Sequence, residues 1–565
     1  MKSKTSLSNL LLVPLYLGLM VSFTASSQEL NQFKHAAVVT AHPEASKVGV
    51  AIIKHGGNAV DAAVAVQFAL AVVYPNAGNI GGGGFLVYRG KEGNSDALDY
   101  REKAPEKASR DMYLDAQGNA ITDKSLYGAL ASGIPGTVDG MVKAHNKYGK
   151  LSWKKDIQPA IDLAQNGFQI TARQASELNS HKESFLKYNK KPVAFVKNDL
   201  WKAGDLLKQP QLAKTLKLIR DNGRKGFYEG SVATAIVASM KNTSGVITEK
   251  DLKDYQSVWR KTVSGKYKNY TVISMPPPSS GGIALITMLK QVGDYPLSKW
   301  GFQRDSTVQL MVELERRAYA DRASYLGDPD FFKVPQTGLL NPTYIKSRTQ
   351  GISFNKATPS SEVKPGTLPL KESEQTTHYS IVDSEGNAVS ATTTLNGSYG
   401  SLVVVDGAGF ILNNEMDDFS VKPGTPNMYG LVGGEANSIV AGKRMLSSMT
   451  PTIIEEDGKL RMVVGTPGGS TIITSVFQTI LNVLAFGQNM QQAVAAPRFH
   501  HQWLPDEVYV EKGAIDHATR IKLEYKGYKI TEREPMGRVD AILVKPNGTL
   551  ETGADPRGND KGLGY

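Results

Sequence analysis

The chain has 565 residues, 41% hydrophobic and 21% charged, with a formal net charge of +11 and no cysteine. That length holds two or more domain-sized units, and the balance is typical of soluble globular proteins. Without cysteine there is no thiol nucleophile, Cys-ligated zinc, disulfide framework or lipid-modified cysteine anchor, and the positive excess is interleaved with acids, as at Asp251–Asp254, with no aromatic–basic stripe to suggest nucleic acid.

Residues 1–27 read as a secretory signal. Lys2 and Lys4 precede an apolar run, Leu10 to Val21, interrupted by Pro14 and followed by the small residues Ala25-Ser26-Ser27. The run is shorter than the roughly 20 residues a membrane span needs, so a mature start near Gln28 is expected. Residues 36–74 read as helical. Asn58 with Asp61 resembles a capping arrangement, and Ala59 to Val73 is apolar on most faces, as a buried helix is. Gly81 to Gly84 then precede the strand-like Phe85-Leu86-Val87-Tyr88. A dinucleotide fingerprint has the opposite order, strand before glycines, so these glycines read as a tight packing site rather than a phosphate loop. Residues 125–350 read as mostly helical. Pro276 to Gly282 form a rigid turn into a helix, Ile283 to Gln291, with Ser279 and Ser280 as caps.

Residues 355–375 are polar, contain prolines and lack periodicity, as a linker or processing segment does. Beyond them the texture changes to short strands: Tyr379 to Val382, Ala388 to Thr394, Leu402 to Val405, Thr452 to Glu455, Arg461 to Val464 and Ala541 to Val544. A helix, Thr471 to Phe486, follows Gly468-Gly469. Turn signals between paired strands indicate antiparallel sheet with helices packed over it.

At the join stands Gln375-Thr376-Thr377-His378-Tyr379-Ser380. An internal threonine is a weak nucleophile. A threonine at a chain's N-terminus carries its own base, an α-amine with a pKa of about 7.7–8.0. A self-made cut before one of these threonines would create nucleophile and base together, and spacing alone does not choose between Thr376 and Thr377. Four constellations follow. Thr392-Thr393-Thr394-Leu395-Asn396 would place Thr394 and Asn396 on one strand face. Asn413 to Ser420 clusters Glu415, Asp417 and Asp418, suited to an ammonium or to a solvated turn. Ser447-Ser448 lies just before Pro451, suited to a carboxylate or a turn. Gly465-Thr466-Pro467-Gly468-Gly469-Ser470 opens a helix, where backbone N–H groups suit an oxyanion.

Together, in this order, these motifs resemble the γ-glutamyltranspeptidases, or glutathione hydrolases, over nearly the whole mature chain, including Asp99-Tyr100-Arg101-Glu102 and Pro497-Arg498-Phe499-His500-His501. The resemblance implies an α+β fold, the four-layer αββα sandwich of N-terminal-nucleophile hydrolases. It implies one precursor that cleaves itself between Gln375 and Thr376 into a large subunit, 28–375, and a small one, 376–565. Carried over by motif, Thr376 is the nucleophile, Thr394 supports it, and Gly468 and Gly469 form the oxyanion hole. Arg101, Ser447 and Ser448 hold the α-carboxylate of the glutamyl group, and Asn396, Glu415 and Asp418 hold its α-ammonium. Glu415 departs from the glutamine that close bacterial relatives often carry. Residues 423–434 match the family's lid, with Tyr429 as its gate.

The implied reaction is γ-glutamyl transfer from glutathione or related compounds to water, amino acids or peptides, without a cofactor. Export to the periplasm is expected by the same resemblance. His378 reads as structural, since the α-amine makes a histidine base unnecessary, and so do His500 and His501, which lack a third ligand at metal-binding spacing. Two other readings compete: a glutaryl or cephalosporin acylase of the same family, and an unprocessed, inactive binding protein.

Overall fold

In the computed structural model, residues 31–366, 377–422, 424–432 and 435–565 are described. The expected signal, Gln375 and Thr376 lie outside the described residues. Two antiparallel seven-stranded sheets dominate. In spatial order the first runs Lys561–Gly564, Ala37–Thr40, Thr377–Val382, Ala388–Thr394, Gly83–Arg89, Ser95–Asp99 and Val258–Arg260. The second runs Gln32–Phe33, Leu550–Ala554, Asp540–Val544, Lys459–Gly465, Thr452–Glu456, Tyr270–Ser274 and Val263–Tyr267.

Side-chain alternation along these strands makes the layers. Val38, Leu86, Tyr88, Tyr379 and Ile381 point outward into a core shared with the helices Pro43–Lys54, Ala59–Val73 and Trp153–Asn166. Their neighbours Ala37, Val39, Phe85 and Val87 point the other way and meet Ile273, Ile453, Val463 and Ile542 of the second sheet. The outer face of that sheet, Val272, Ile454, Met462 and Leu543, packs on the helices Gly281–Val292, Asp305–Tyr325 and Thr471–Leu484. The result is helix, sheet, sheet, helix, the expected four-layer α+β sandwich. No helix among the described residues is long and apolar enough to cross a membrane.

Local signals hold where they were strongest. Asn58 and Asp61 form a reciprocal capping box on Ala59–Val73, and every residue of that helix is buried. The four glycines pack backbone on backbone. A Cβ at Gly81 would lie 2.1 Å from the carbonyl oxygen of Ile411, and one at Gly82 would lie 1.9 Å from that of Thr394. The helical reading of 36–74 fails at its start, where Ala37–Thr40 is a strand held by partners on both sides. The region 125–350 likewise contains the strands Val258–Arg260, Val263–Tyr267 and Tyr270–Ser274. Leu402 to Val405 is not a strand: Tyr399 and Leu402 adopt positive φ, and only an isolated bridge joins Val404 to Ile411.

Gly82→Ala forces a methyl group into the Thr394 carbonyl. It is expected to destabilise the protein by at least about 3 kcal/mol, the upper range for overpacking, read as a lower midpoint in thermal unfolding; an unchanged midpoint would contradict this packing role.

Candidate active site

Strand Thr377–Val382 pairs with Ala388–Thr394, with Thr377 opposite Thr393 and His378 opposite Thr392. Asn79 fixes the end of the second strand: its Nδ2 donates to the carbonyl of Thr394 (2.7 Å), and its Oδ1 accepts from the backbone N–H of Gly82 (3.0 Å) and the hydroxyl of Thr137 (2.7 Å). The strand stops there. Asn396 has φ of 70°, so simple alternation does not carry its side chain onto the face of Thr394. Instead Thr394 Oγ1 accepts from the Asn396 backbone N–H (2.6 Å), and Asn396 Nδ2 donates to the Asn414 carbonyl (3.0 Å).

Arg101 is fully buried at the centre of the acidic cluster. Its Nη1 donates to Glu415 and its Nη2 to Asp418, with Glu102 3.5 Å from Nη1. It also donates to the carbonyls of Met445 and Leu446, both at 3.2 Å. Burial opposes its charge, but the three carboxylates outweigh burial and hold the guanidinium protonated. Burial pushes Glu102 well above the usual carboxylate range, with the charge of Glu415 adding to it. Burial also raises Glu415, to about 6, against the pull of Arg101.

Asn413 holds the short helical turn Glu415–Asp418 in place. Its Oδ1 accepts from the N–H groups of Gly133 (2.8 Å) and Glu415 (3.0 Å), and its Nδ2 donates to the carbonyls of Gly81 and Gly133, each at 2.8 Å. Ser447 is anchored by the Pro276–Gly282 turn: its N–H donates to the Pro278 carbonyl (2.9 Å), and its carbonyl accepts from the N–H and hydroxyl of Ser280 (2.6 and 2.8 Å). The expected capping holds only in part: Ser280 is the N-cap residue but its hydroxyl goes to the Ser447 carbonyl, while Ser279 Oγ, one residue earlier, accepts from the Gly281 N–H (3.0 Å). Several buried oxygens lack a hydrogen-bond partner, among them Ser448 Oγ, Asn396 Oδ1 and Glu415 Oε2. Such atoms suit a polar ligand.

The Gly465–Ser470 loop lies beside the strand that begins at Thr377. A Cβ at Gly465 would strike the His378 ring at 2.3 Å. Gly468 and Gly469 have φ of 135° and 64°, and a Cβ at Gly468 would lie 2.8 Å from the Cα of Gly537. Only glycine fits that combination. The loop is fixed by Thr471 Oγ1 donating to the Gly468 carbonyl (2.6 Å), Tyr319 donating to the Ser470 carbonyl, and Thr466 Oγ1 accepting from the Arg538 N–H (2.7 Å).

The three histidines are engaged within the fold. Burial lowers His378 to about 3, so it is neutral, with its ring nitrogens 2.9 Å from Thr392 Oγ1 and 3.0 Å from Ser380 Oγ. Burial lowers His500 to about 3 and His501 to about 4. His500 sits between Thr474 and Gln502, and His501 accepts from the Trp503 N–H. Asp61, His145 and Asp156 also converge. There Asp61 accepts from the N–H groups of Asn58, Lys150 and Leu151, and His145 Nε2 is 3.0 Å from the Leu151 carbonyl, so the group ties helix ends together.

The structure therefore brings Arg101, Glu415 and Asp418 into direct contact; Asn396 bonds to the carbonyl of Asn414, the residue before Glu415, and the Tyr429 hydroxyl lies 3.4 Å from the Asn396 carbonyl. Glu102, Asn79 and Asn413 carry no role in the sequence reading; only the adjacency of Glu102 to Arg101 was a signal. The layered αββα sandwich is that of the N-terminal-nucleophile hydrolases. The γ-glutamyltranspeptidase profile matches residues 45–565, and the chain belongs to that family. It is 50% identical over 529 residues to the glutathione hydrolase proenzyme of Escherichia coli K12, covering 93% of this chain and 91% of that one. It is similar to the crystal structure of γ-glutamyltranspeptidase from Helicobacter pylori, with TM-score 0.57 and 47% identity over 58% of this chain and 95% of that one. It is also similar to a cephalosporin acylase from Bacillus halodurans, with TM-score 0.85 and 25% identity over 98% and 99% of the two chains.

Asn413→Ala leaves the N–H groups of Gly133 and Glu415 without their buried acceptor, a cost of about 1–3 kcal/mol each. Chemical denaturation should show a destabilisation of about 3 kcal/mol or more, and a midpoint equal to the parent's would contradict the bracing role.

Proposed function

We propose that this protein transfers γ-glutamyl groups through an ester on Thr376, hydrolysing glutathione and related compounds or passing the group to amino acids and peptides. The observation that carries this reading is the buried charge set of Arg101 with Glu415 and Asp418. A glutamyl end is a zwitterion. Its α-carboxylate matches the fork of Arg101 and its α-ammonium matches the two acids. A ligand of that kind exchanges partners with an internal ion pair, so neither sign of charge is left unpaired on binding. Ser448 Oγ and Asn396 Oδ1 supply one donor and one acceptor of the right polarity for the two ends.

The proposed precursor is cut between Gln375 and Thr376, giving 28–375 and 376–565 as paired subunits. A pairing of Thr376 with Thr394 would extend the register of Thr377 with Thr393 by one step. The new α-amine takes the Thr376 hydroxyl proton as Oγ attacks the γ-amide carbon. The N–H groups of Gly468 and Gly469 hold the oxyanion, and the amine returns the proton to the leaving nitrogen. Water or an amine then attacks the ester. Residues 1–27 serve export, most simply to the periplasm.

The acylase reading is favoured by overall fold similarity. A glutaryl group has no ammonium, however, and would leave Glu415 and Asp418 facing no cation. Paired assays on γ-glutamyl and glutaryl anilides decide between the two; faster glutaryl cleavage would overturn the proposal. Denaturing gels of the processed protein should show bands near ~38 and ~21 kDa at about 110 Da per residue, and Thr376→Ala should remain one uncut, inactive chain. Normal processing of that variant would exclude Thr376 as the nucleophile.

The acidic pair also sets a pH dependence. Glu415 must be ionised to hold an ammonium, and its pKa is raised to about 6. The donor KM should therefore rise as pH falls through about 6, while Glu415→Gln, which does not titrate, should flatten that limb. An unchanged profile in the variant would remove Glu415 from ammonium binding.

A further inference from the structure

The acidic cluster contains a third carboxylate that γ-glutamyl binding does not use. Asp417 is 1% exposed and lies between Glu415 and Asp418 on the same helical turn. It accepts from Ser125 Oγ at 2.6 Å and from the backbone N–H of Met428 at 3.2 Å. Ser125 belongs to the short helix Thr122–Leu126, and Met428 directly precedes Tyr429. Burial raises the Asp417 carboxyl, and these two donors pull it back.

On the other side of the same peptide stretch, the Tyr429 carbonyl accepts from Gln502 Nε2 at 3.3 Å. Gln502 Oε1 is 2.9 Å from His500 Nε2, and His500 Nδ1 is 2.9 Å from Thr474 Oγ1. Thr474 lies on the helix that follows Gly468-Gly469. With Gln502 Nε2 as the donor, its Oε1 requires a proton from His500 Nε2, which leaves Nδ1 to accept from Thr474. At its tip, the Tyr429 hydroxyl is 3.4 Å from the Asn396 carbonyl. The turn itself is preformed, since Asn427 Oδ1 accepts from the N–H groups of Tyr429 (3.0 Å) and Leu431 (3.2 Å), and Pro426 bridges to Val432. Tyr429 thus sits on a stiff turn gripped before its peptide by Asp417 and after it by Gln502. The first grip belongs to the turn that carries Glu415 and Asp418, and the second is tied through His500 and Thr474 to the helix after Gly468-Gly469.

We propose that Asp417 and Gln502 are positioning residues that hold Tyr429 over the donor site, and so control how well the γ-glutamyl ester is shielded from water before an amine arrives. The inference rests on the γ-glutamyl reading above. A held lid retains the donor and limits solvent access to the ester; a released lid admits water and lets the donor escape.

The test uses the processed full-length enzyme on a γ-glutamyl anilide, with and without glycylglycine as acceptor. Asp417→Ala and Gln502→Ala are expected to raise the donor KM by about tenfold, the effect of losing one hydrogen bond to a charged or well-placed partner. They should also lower the share of turnover passed to glycylglycine by at least about twofold, and speed proteolytic nicking within 424–432. Asp417→Asn keeps an acceptor for the Met428 N–H and should recover most of the parent's KM and partition, which a purely packing role would not explain. Donor KM, partition and nicking all unchanged in both alanine variants, or Asp417→Asn as impaired as Asp417→Ala, would overturn the proposal. If Asp417→Ala fails to process, Gln502→Ala supplies the same readings from the other grip. A parent with no γ-glutamyl turnover would instead overturn the reading beneath it, and the nicking rates would still judge the two grips.

Discussion

Strand exchange between the two sides of residue 376 is the constraint on which the architecture depends. In the first sheet, Thr377–Val382 and Ala388–Thr394 lie between Ala37–Thr40 and Gly83–Arg89, and Lys561–Gly564 closes the far edge on Ala37–Thr40. In the second, the four strands from Thr452–Glu456 to Leu550–Ala554 are flanked by Gln32–Phe33 at one end and Tyr270–Ser274 at the other. Each sheet is thus a ladder whose rungs join sequence before 376 to sequence after it. A backbone break between Gln375 and Thr376 would leave those ladders and the apolar layer between the sheets in place. The proposed self-cleavage is therefore compatible with the fold, and it would free an amine at the edge of a strand paired on both sides.

That rigidity matters for the chemistry beside it. The polar residues His378, Ser380, Ser390 and Thr392 turn from the first sheet toward the second; His378 bonds to Thr392 and Ser380, and the two serines bond to the second sheet's backbone. Ser380 donates to the Asp540 carbonyl and Ser390 to that of Val464. Val464 directly precedes Gly465, which packs on the His378 ring. The strand following the proposed nucleophile and the loop carrying the proposed oxyanion hole are thereby held by the same few contacts. Preorganised donors are effective because they need not reorient as charge develops.

The sequence carried much of this in local form. Antiparallel sheet with helices over it, the helix Ala59–Val73, the strand Ala388–Thr394 and the tight packing at Gly81–Gly84 were legible, because apolar patterning, capping residues and glycine runs report on their own neighbourhoods; the αββα layering came only with the family resemblance. Ala37–Thr40 was not legible as a strand, since four residues acquire that state from partners more than 300 positions away. Leu402–Val405 looked like a strand because its side chains are apolar, but positive φ at Leu402 belongs to backbone geometry that composition does not encode. Within the site, the charged and glycine motifs stood out. Asn79, Asn413 and Gln502 did not, since an isolated amide looks like any surface residue until its bonding partners are known.

Those amides bear on how so much charge could be kept for the proposed zwitterionic ligand. In a buried pocket, every charged group used as a brace would need its own counter-charge and would compete with the substrate. Here, Asp417 apart, the bracing is done by neutral groups with two-sided bonding capacity: Asn79 at the end of the Thr394 strand, Asn413 under the acidic turn, neutral His378 between the sheets, and neutral His500 with Gln502 behind Tyr429. Arg101, Glu415 and Asp418 are left to pair with each other, in an arrangement that a zwitterion can replace charge for charge. Glu102 adds a third carboxylate to that cage, and burial beside Glu415 favours its protonated form, so the cage approaches neutrality without a second cation. Substituting a charged brace for any of the amides would upset that balance even where it preserved the local hydrogen bonds.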